Sequence, residues 1–537
     1  MNRITSKGKY LGNPIANLLD GESNAIEFDI AYPVSGNLAE AVKQVRDLHG
    51  NDICLLPMSG TSSGGGIFQF AKKAPGMVVG LKFEPPVNPR ISFAAQPHLA
   101  TVALDEIVID REHHQICAGS SITLDQLNQA LAVELGHGYK VPGADLTSYL
   151  YAAVGATFMT GGMGPQRRYF SDSVIEVALY DGNNIVSISG EPLRGYAGTY
   201  GWTGMISALR CNYYQFPDNE IAFALPLSNR PAELAKLLAH LAPYCYLDID
   251  PGKVGSGAAN NDLILGIEHV SSASMQPLMA ASSDNPAHAR AQDLQQKCNA
   301  ADADGLVFVN GFSDRSIDEF LIGLADDEHA DSLTIAGIDL EYAEVFNDPE
   351  TMRAVREAIP YAARMQKPAG RLLYKNHTDA NIRIDPNQVE KVAEQLWKIN
   401  CEYVSSVEQH FNQSREINGE ILVYGHLNPY GVDPHNRVTM SSDDDAAFQA
   451  SREFLIEQRA RYYRSLAALC DETASIFVGG EKTAHSELGI YKALGGPQNS
   501  PAALRNRFRQ QQATVEAASI TFNWRALSPY LVVRNVG

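Results

Sequence analysis

Leu55–Phe68 reads LLPMSGTSSGGGIF, with small hydroxyl residues and glycines set directly behind an apolar run. Such a stretch can perform one kind of chemistry. Backbone N–H groups with no Cβ in the way can converge on a single anion. Two further glycine clusters follow, VGATFMTGGMGPQ from Val154 and RGYAGTYGWTG from Arg194. None opens a helix as GxGxxG and none is GxxxxGK[ST], so the common nicotinamide-dinucleotide and P-loop readings fit poorly.

The elements around these clusters must hold them in place. Leu38, Ala41, Val42, Val45 and Leu48 recur at helical spacing, and DICLLPM after them fits a buried strand that delivers the first glycine run. Strands are expected around Ile107–Ile109 and in HQICAG, with Ser121 or Thr123 capping the helix that carries Leu124, Leu127 and Leu131. VIEVALY, Asp181-Gly182-Asn183 and NIVSIS read as strand, turn and strand. Past about residue 217 the character changes. Leu234, Leu237, Leu238 and Leu241 mark an amphipathic helix, DLILGIE and ADGLVFVNG are strand candidates, and YGHLNPYGVDPHNRVTM reads as strand, turn and strand before a long helix from Ala446.

The whole chain of 537 residues carries 43 basic and 62 acidic residues, a net charge of -19. That surface repels phosphate backbones and argues against a nucleic-acid partner. Seven scattered cysteines without a CxxC argue against a disulfide scaffold and fit a reducing compartment. The N-terminus lacks the apolar core of a signal peptide, and no stretch approaches the ~20 apolar residues of a membrane span, so a cytoplasmic location is expected by default. A small-molecule substrate is expected, and a homodimer is compatible with the sequence.

In order and context the three clusters resemble the FAD-binding domain of the vanillyl-alcohol oxidase superfamily, the PCMH-type FAD-linked oxidases. YPVSGNLAEAVKQVRDLHGNDICLLPMSGTSSGGG is similar to that domain's opening, and the clusters near 161 and 198 are similar to its two later motifs. The resemblance implies an α+β fold: a two-subdomain FAD-binding domain over 22–220, an α+β cap domain with an antiparallel sheet over 221–470, and a segment over 471–537 returning to the flavin. It places Ser59, Gly60, Thr61, Ser62, Ser63 and Gly64 around the first phosphates. Pro142 and Gly143 fall near the flavin ring, and Thr157, Gly161, Gly162 and Gly164 near pyrophosphate and ribitol. Gly198, Thr199, Gly201 and Met205 or Ile206 support the adenosine end. No histidine of the first loop suits covalent attachment, and His113 and His114 read as surface residues, so FAD is expected to be non-covalent.

The C-terminal half resembles the glycolate oxidase, D-lactate and D-2-hydroxyglutarate dehydrogenase branch. YGHLNPYGVDPHNRVTM is similar to that branch's G-H-x-G-D-G-N-x-H, and GGEKTAHSELGIYKALGG to its G-E-H-G-i-G-x-x-K. The resemblance implies His426, His435 and Glu487 as ligands of a divalent metal such as zinc or manganese, a cofactor left open here. Leu488 stands where the branch has its catalytic histidine, with His485 in reserve as a ligand or base. It implies Arg364 and Lys375 as a clamp on a substrate carboxylate, and Tyr374 and Tyr424 as the flavin-facing wall. Oxidising a hydroxy acid needs a hydride acceptor and a base, and neutral imidazole suits the second task. The expected activity is therefore FAD-dependent oxidation of a 2-hydroxy-acid-like substrate. The altered histidine motif leaves open an amine or other substrate, or an FAD-binding subunit without turnover.

Overall fold

The computed structural model describes residues 6–10, 26–31, 36–58, 77–143, 149–162, 164, 169–199, 201–217, 219–228, 230–245, 262–280, 286–327, 332–365, 369–378, 381–428, 431–479, 494 and 502–518. Three main sheets follow one another along the chain. The first has spatial order Ser6–Tyr10, Ile26–Ala31, Met77–Lys82, Ile53–Met58. Its last three strands run parallel. Asn37 caps the helix Leu38–His49 by accepting from the amides of Ala39 and Glu40, and the helix buries Leu38, Ala41, Val42 and Val45. Leu48 shares the spacing yet ends exposed, in the last turn of the helix. The Ser6–Tyr10 strand lies ahead of the start expected at residue 22.

The second sheet is ordered Ile185–Ser189, Val174–Tyr180, Met205–Asn212, Gln115–Gly119, Glu106–Asp110, Arg90–Phe93. Of the two candidate caps, Thr123 closes a capping box with Gln126 at the start of the helix Leu124–Glu134. The helix Val154–Thr160 packs beneath this sheet and ends at Gly161.

A nine-stranded sheet begins at Asn219. Its order is Glu344–Val345, Asn219–Leu227, Gly305–Ser313, Asp262–Ser271, Asn418–Asn428, Gly431–Ser442, Asn381–Arg383, Ile476–Gly479, and Leu372–His377 also pairs with Gly431–Ser442. One face is covered by the helices Pro231–Leu241, Val389–Gln413 and Asp445–Thr473, which bury Leu237, Trp397 and Leu466 against Val423, Val438 and Met440. Part of the other face is covered by Ser272–Met279, Pro286–Ala300 and Pro349–Met365. The C-terminal segment returns twice. Ile476–Gly479 completes the third sheet, and the helix Ala502–Ala517 reaches back so that Gln511 Nε2 donates to Ala197 O at 2.9 Å. Among the described residues no helix is long and apolar enough to cross a membrane.

Candidate active site

Side chains alternate across a strand, so the apolar core on one face of the third sheet fixes what stands on the other. Val432, Val438 and Met440 belong to the core with Trp397. Asp433, His435 and Arg437 must then share the opposite face. In register, Tyr424 lies across from His435 and His426 across from Asp433. Glu268 lies across from His426 on the next strand. Lys375 lies across from Thr439 and joins the same face. The sheet thus assembles Glu268, His426, Asp433, His435, Arg437 and Lys375 into one polar patch. Each is at most 5% exposed.

Its contacts form a chain. Arg356, from the helix Pro349–Met365, sets Nε 3.1 Å from Glu268 Oε2. Glu268 Oε1 stands 3.9 Å from His426 Nδ1. The rings of His426 and His435 meet edge to face with centroids 4.8 Å apart. His435 Nε2 lies 2.9 Å from Asp433 Oδ2, a carboxylate wholly shielded from solvent. A buried carboxylate bonded to one ring nitrogen fixes the tautomer and stabilises the imidazolium that forms when the other nitrogen takes a proton. Beyond the histidines stand two cations. Burial, with Arg437 adding to it, pushes the Lys375 ammonium down to about 8.

The third sheet touches the N-terminal half through Asn381. Ile382 points into the core opposite Val432, so Asn381 points the other way and its Nδ2 donates to Tyr169 Oη at 3.4 Å. Tyr169 is backed by the Pro142–Gly143 turn. A Cβ on Gly143 would come within 3.1 Å of Tyr169 O, at a φ of +79° that favours glycine. Asn381 and the Pro142–Gly143 turn thus meet at one tyrosine.

The described parts of the three glycine segments also converge. The Gly198 amide donates to Phe158 O at 3.1 Å, and Gly162 donates to Thr157 O at 2.9 Å. Thr199 Oγ1 lies 2.9 Å from Thr203 Oγ1. Gly201 has φ +80°, and a Cβ there would stand 2.6 Å from Pro57 Cγ, at the end of the strand that leads into SGTSSGGG. Described residues of the three segments therefore touch pairwise, Gly201 against Pro57 and Gly198 against Phe158, while the glycines of the first run lie outside the described residues. Gly164 is buried nearby in sequence, while Met205 and Ile206 lie in the packed cores.

Not every expected site residue joins. Tyr374 lies in the core behind the sheet, where its hydroxyl accepts from Asn376 Nδ2 at 2.9 Å, because it alternates with Lys375. Tyr424 stays on the polar face, packed among Val270 and Leu278. Arg364 lies in the helix Pro349–Met365, its side chain outside the described residues, as are Ser59, Gly60, Thr61, Ser62, Ser63, Gly64, His485 and Glu487. Among the described residues no group of three or more His, Cys, Asp or Glu side chains is arranged to hold a metal. Glu268, Arg356, Asp433 and Arg437 were not singled out in the sequence. For Asp433 and Arg437 a signal existed: they sit two residues either side of His435 in an expected strand.

No known family profile and no curated protein matches the chain. Solved structures do. The chain is similar to alkyldihydroxyacetonephosphate synthase with a TM-score of 0.55 and 13% identity, covering 84% of this chain and 75% of that one. It is similar to a variant of berberine bridge enzyme described as a reticuline dehydrogenase, with a TM-score of 0.52 and 12% identity over 97% of this chain and 95% of that one. Berberine bridge enzyme from Eschscholzia californica gives 0.50 and 12% over the same shares. The three sheets and their helices are thus those of the PCMH-type FAD-binding oxidase fold.

Proposed function

We propose that this protein is an FAD-dependent oxidoreductase that oxidises the carbinol carbon of a 2-hydroxy-acid-like substrate. In this reading residues 22–220, extended by the Ser6–Tyr10 strand, hold the cofactor, and the third sheet presents the substrate. The observation that carries it is the Asp433–His435 pair beside His426 on a buried strand face that reaches Tyr169 at the Pro142–Gly143 turn. The likeness to oxidases supports FAD, and the converging glycine segments fit its pyrophosphate. Gly162, Gly164, Gly198, Thr199 and Gly201 would hold it with the first glycine run.

Bound FAD would supply the acceptor for a hydride. The remaining work falls to the chain's own residues. His435, held by Asp433, takes the hydroxyl proton as the carbinol hydrogen leaves with its electron pair, so the product is the 2-oxo acid. His426 flanks His435 and restricts its ring. The face is buried, which strengthens each charge–charge and charge–dipole interaction on it. The hydroxy-acid choice rests on the histidine hairpin's resemblance. Anaerobic mixing of FAD-loaded protein with 2-hydroxy acids, secondary alcohols and amines tests this. Bleaching of the flavin band by hydroxy acids supports it, and bleaching by amines alone would move the substrate class.

A further inference from the structure

Arg437 is 2% exposed, and among the described residues none hydrogen-bonds its Nε, Nη1 or Nη2. A guanidinium keeps its charge at any pH a protein survives. Burying that charge without an acceptor is costly, and such groups in folded proteins are paired. Arg437 bears on Glu420, a part-exposed acid pushed up by burial with Arg437 pulling the other way, yet Glu420 makes no hydrogen bond to the guanidinium. Arg437 also acts on Lys375, a second cation. Two like charges therefore share one buried face with no described acceptor for the arginine. Arg437 stands two residues from His435 on that face, roughly 7 Å along the strand.

We propose that Arg437, seconded by Lys375, is the receptor for an oxyanion of the substrate, a carboxylate or a phosphate within one small molecule's length of the hydroxyl that His435 deprotonates. The proposal rests on the functional reading above for its choice of substrate, but not for the site itself. The planar fork of arginine suits both oxyanions bidentately. The same fork also explains why a strand position that elsewhere on this face holds a histidine or an aspartate carries a permanent cation.

The test uses FAD-loaded protein, with oxalate and inorganic phosphate as probes, read by calorimetry and by perturbation of the flavin spectrum. Wild type is expected to bind at least one of them. Arg437→Met is expected to bind that probe roughly 10- to 100-fold more weakly. Without a probe, Arg437→Met is expected to unfold at or above the wild-type temperature, because it removes an uncompensated buried charge, and to gain nothing from the probe. Arg437→Gln, retaining polarity without charge, is expected to lose the same affinity. Binding of oxalate alone identifies a carboxylate and binding of phosphate alone a phosphate ester; either supports the receptor. The proposal is overturned if neither probe binds wild type, if Arg437→Met binds as wild type does, or if both variants unfold well below wild type, which would make Arg437 structural. The two readings separate cleanly. Probe binding through Arg437 without flavin reduction by any hydroxy acid sinks the function and keeps the receptor. Hydroxy-acid reduction unchanged in Arg437→Met does the reverse.

Discussion

Replacing Asp433 by asparagine isolates what the buried carboxylate does. Asparagine keeps the size and one acceptor oxygen, so the strand pairing of Gly431–Ser442 is expected to persist. What changes is the charge 2.9 Å from His435 Nε2. A hydrogen bond to a charged group contributes about 1.5–3 kcal/mol, and both partners here are shielded, Asp433 at 0% and His435 at 3% exposure. At 1.4 kcal/mol per tenfold, loss of that support slows proton removal about 10- to 100-fold. The assay is stopped-flow bleaching of the flavin by a saturating 2-hydroxy acid without oxygen. The limiting rate is expected to fall by that factor while the concentration for half-saturation stays within about twofold, since Asp433 acts through His435 and not on the substrate's anion. Flavin content and thermal midpoint serve as controls for folding. A limiting rate within twofold of wild type, with flavin bound, would refute the pairing as the source of the base.

The buried pair behind the histidines predicts a stability effect. Arg356→Met leaves Glu268 buried without its 3.1 Å partner and is expected to cost about 3–5 kcal/mol in urea unfolding, most of it recovered by adding Glu268→Leu; a loss under about 1 kcal/mol would contradict this. His269 is wholly buried against Trp397, neither ring nitrogen has a hydrogen bond, and burial pushes it down to about 3. Between that value and its ordinary 6.5 the unfolded chain binds a proton that the folded one refuses, so stability drops as pH is lowered from 6.5 toward 3, by up to roughly 1.4 kcal/mol per unit; His269→Phe is expected to flatten that slope in acid unfolding and to raise stability near neutrality. Lys375 titrates at about 8, so oxalate or phosphate affinity is expected to drop as pH rises through 8 in wild type and to be flat there in Lys375→Met; a drop retained in that variant would place the titration elsewhere.

Much of the architecture was legible in the sequence because its signals are local. The helix over Leu38–His49, the Thr123 cap and the hairpin around Asp181–Asn184 each follow from residues within a few positions of one another. The site was legible only in part. His426 and His435 stand out within one hairpin, but Glu268 reaches them from 158 residues upstream through strand register that no short window contains. Tyr374 shows the limit from the other side. Its residue type suits an aromatic wall, yet one step of strand alternation turns it into the core and leaves Lys375 on the functional face. Arg356 could not be marked as a partner for Glu268 until the helix Pro349–Met365 was laid on the sheet.

The central claim is that the histidine face of the third sheet serves a flavin held by the converging glycine segments. The most direct measurement is the visible spectrum of the protein reconstituted with FAD, followed without oxygen as a panel of 2-hydroxy acids is added, in wild type and in His435→Gln. The account predicts a yellow protein whose flavin band bleaches with at least one hydroxy acid and bleaches at least about tenfold more slowly in the variant. A protein that takes up no FAD, or one whose flavin is reduced equally fast without His435, would contradict it.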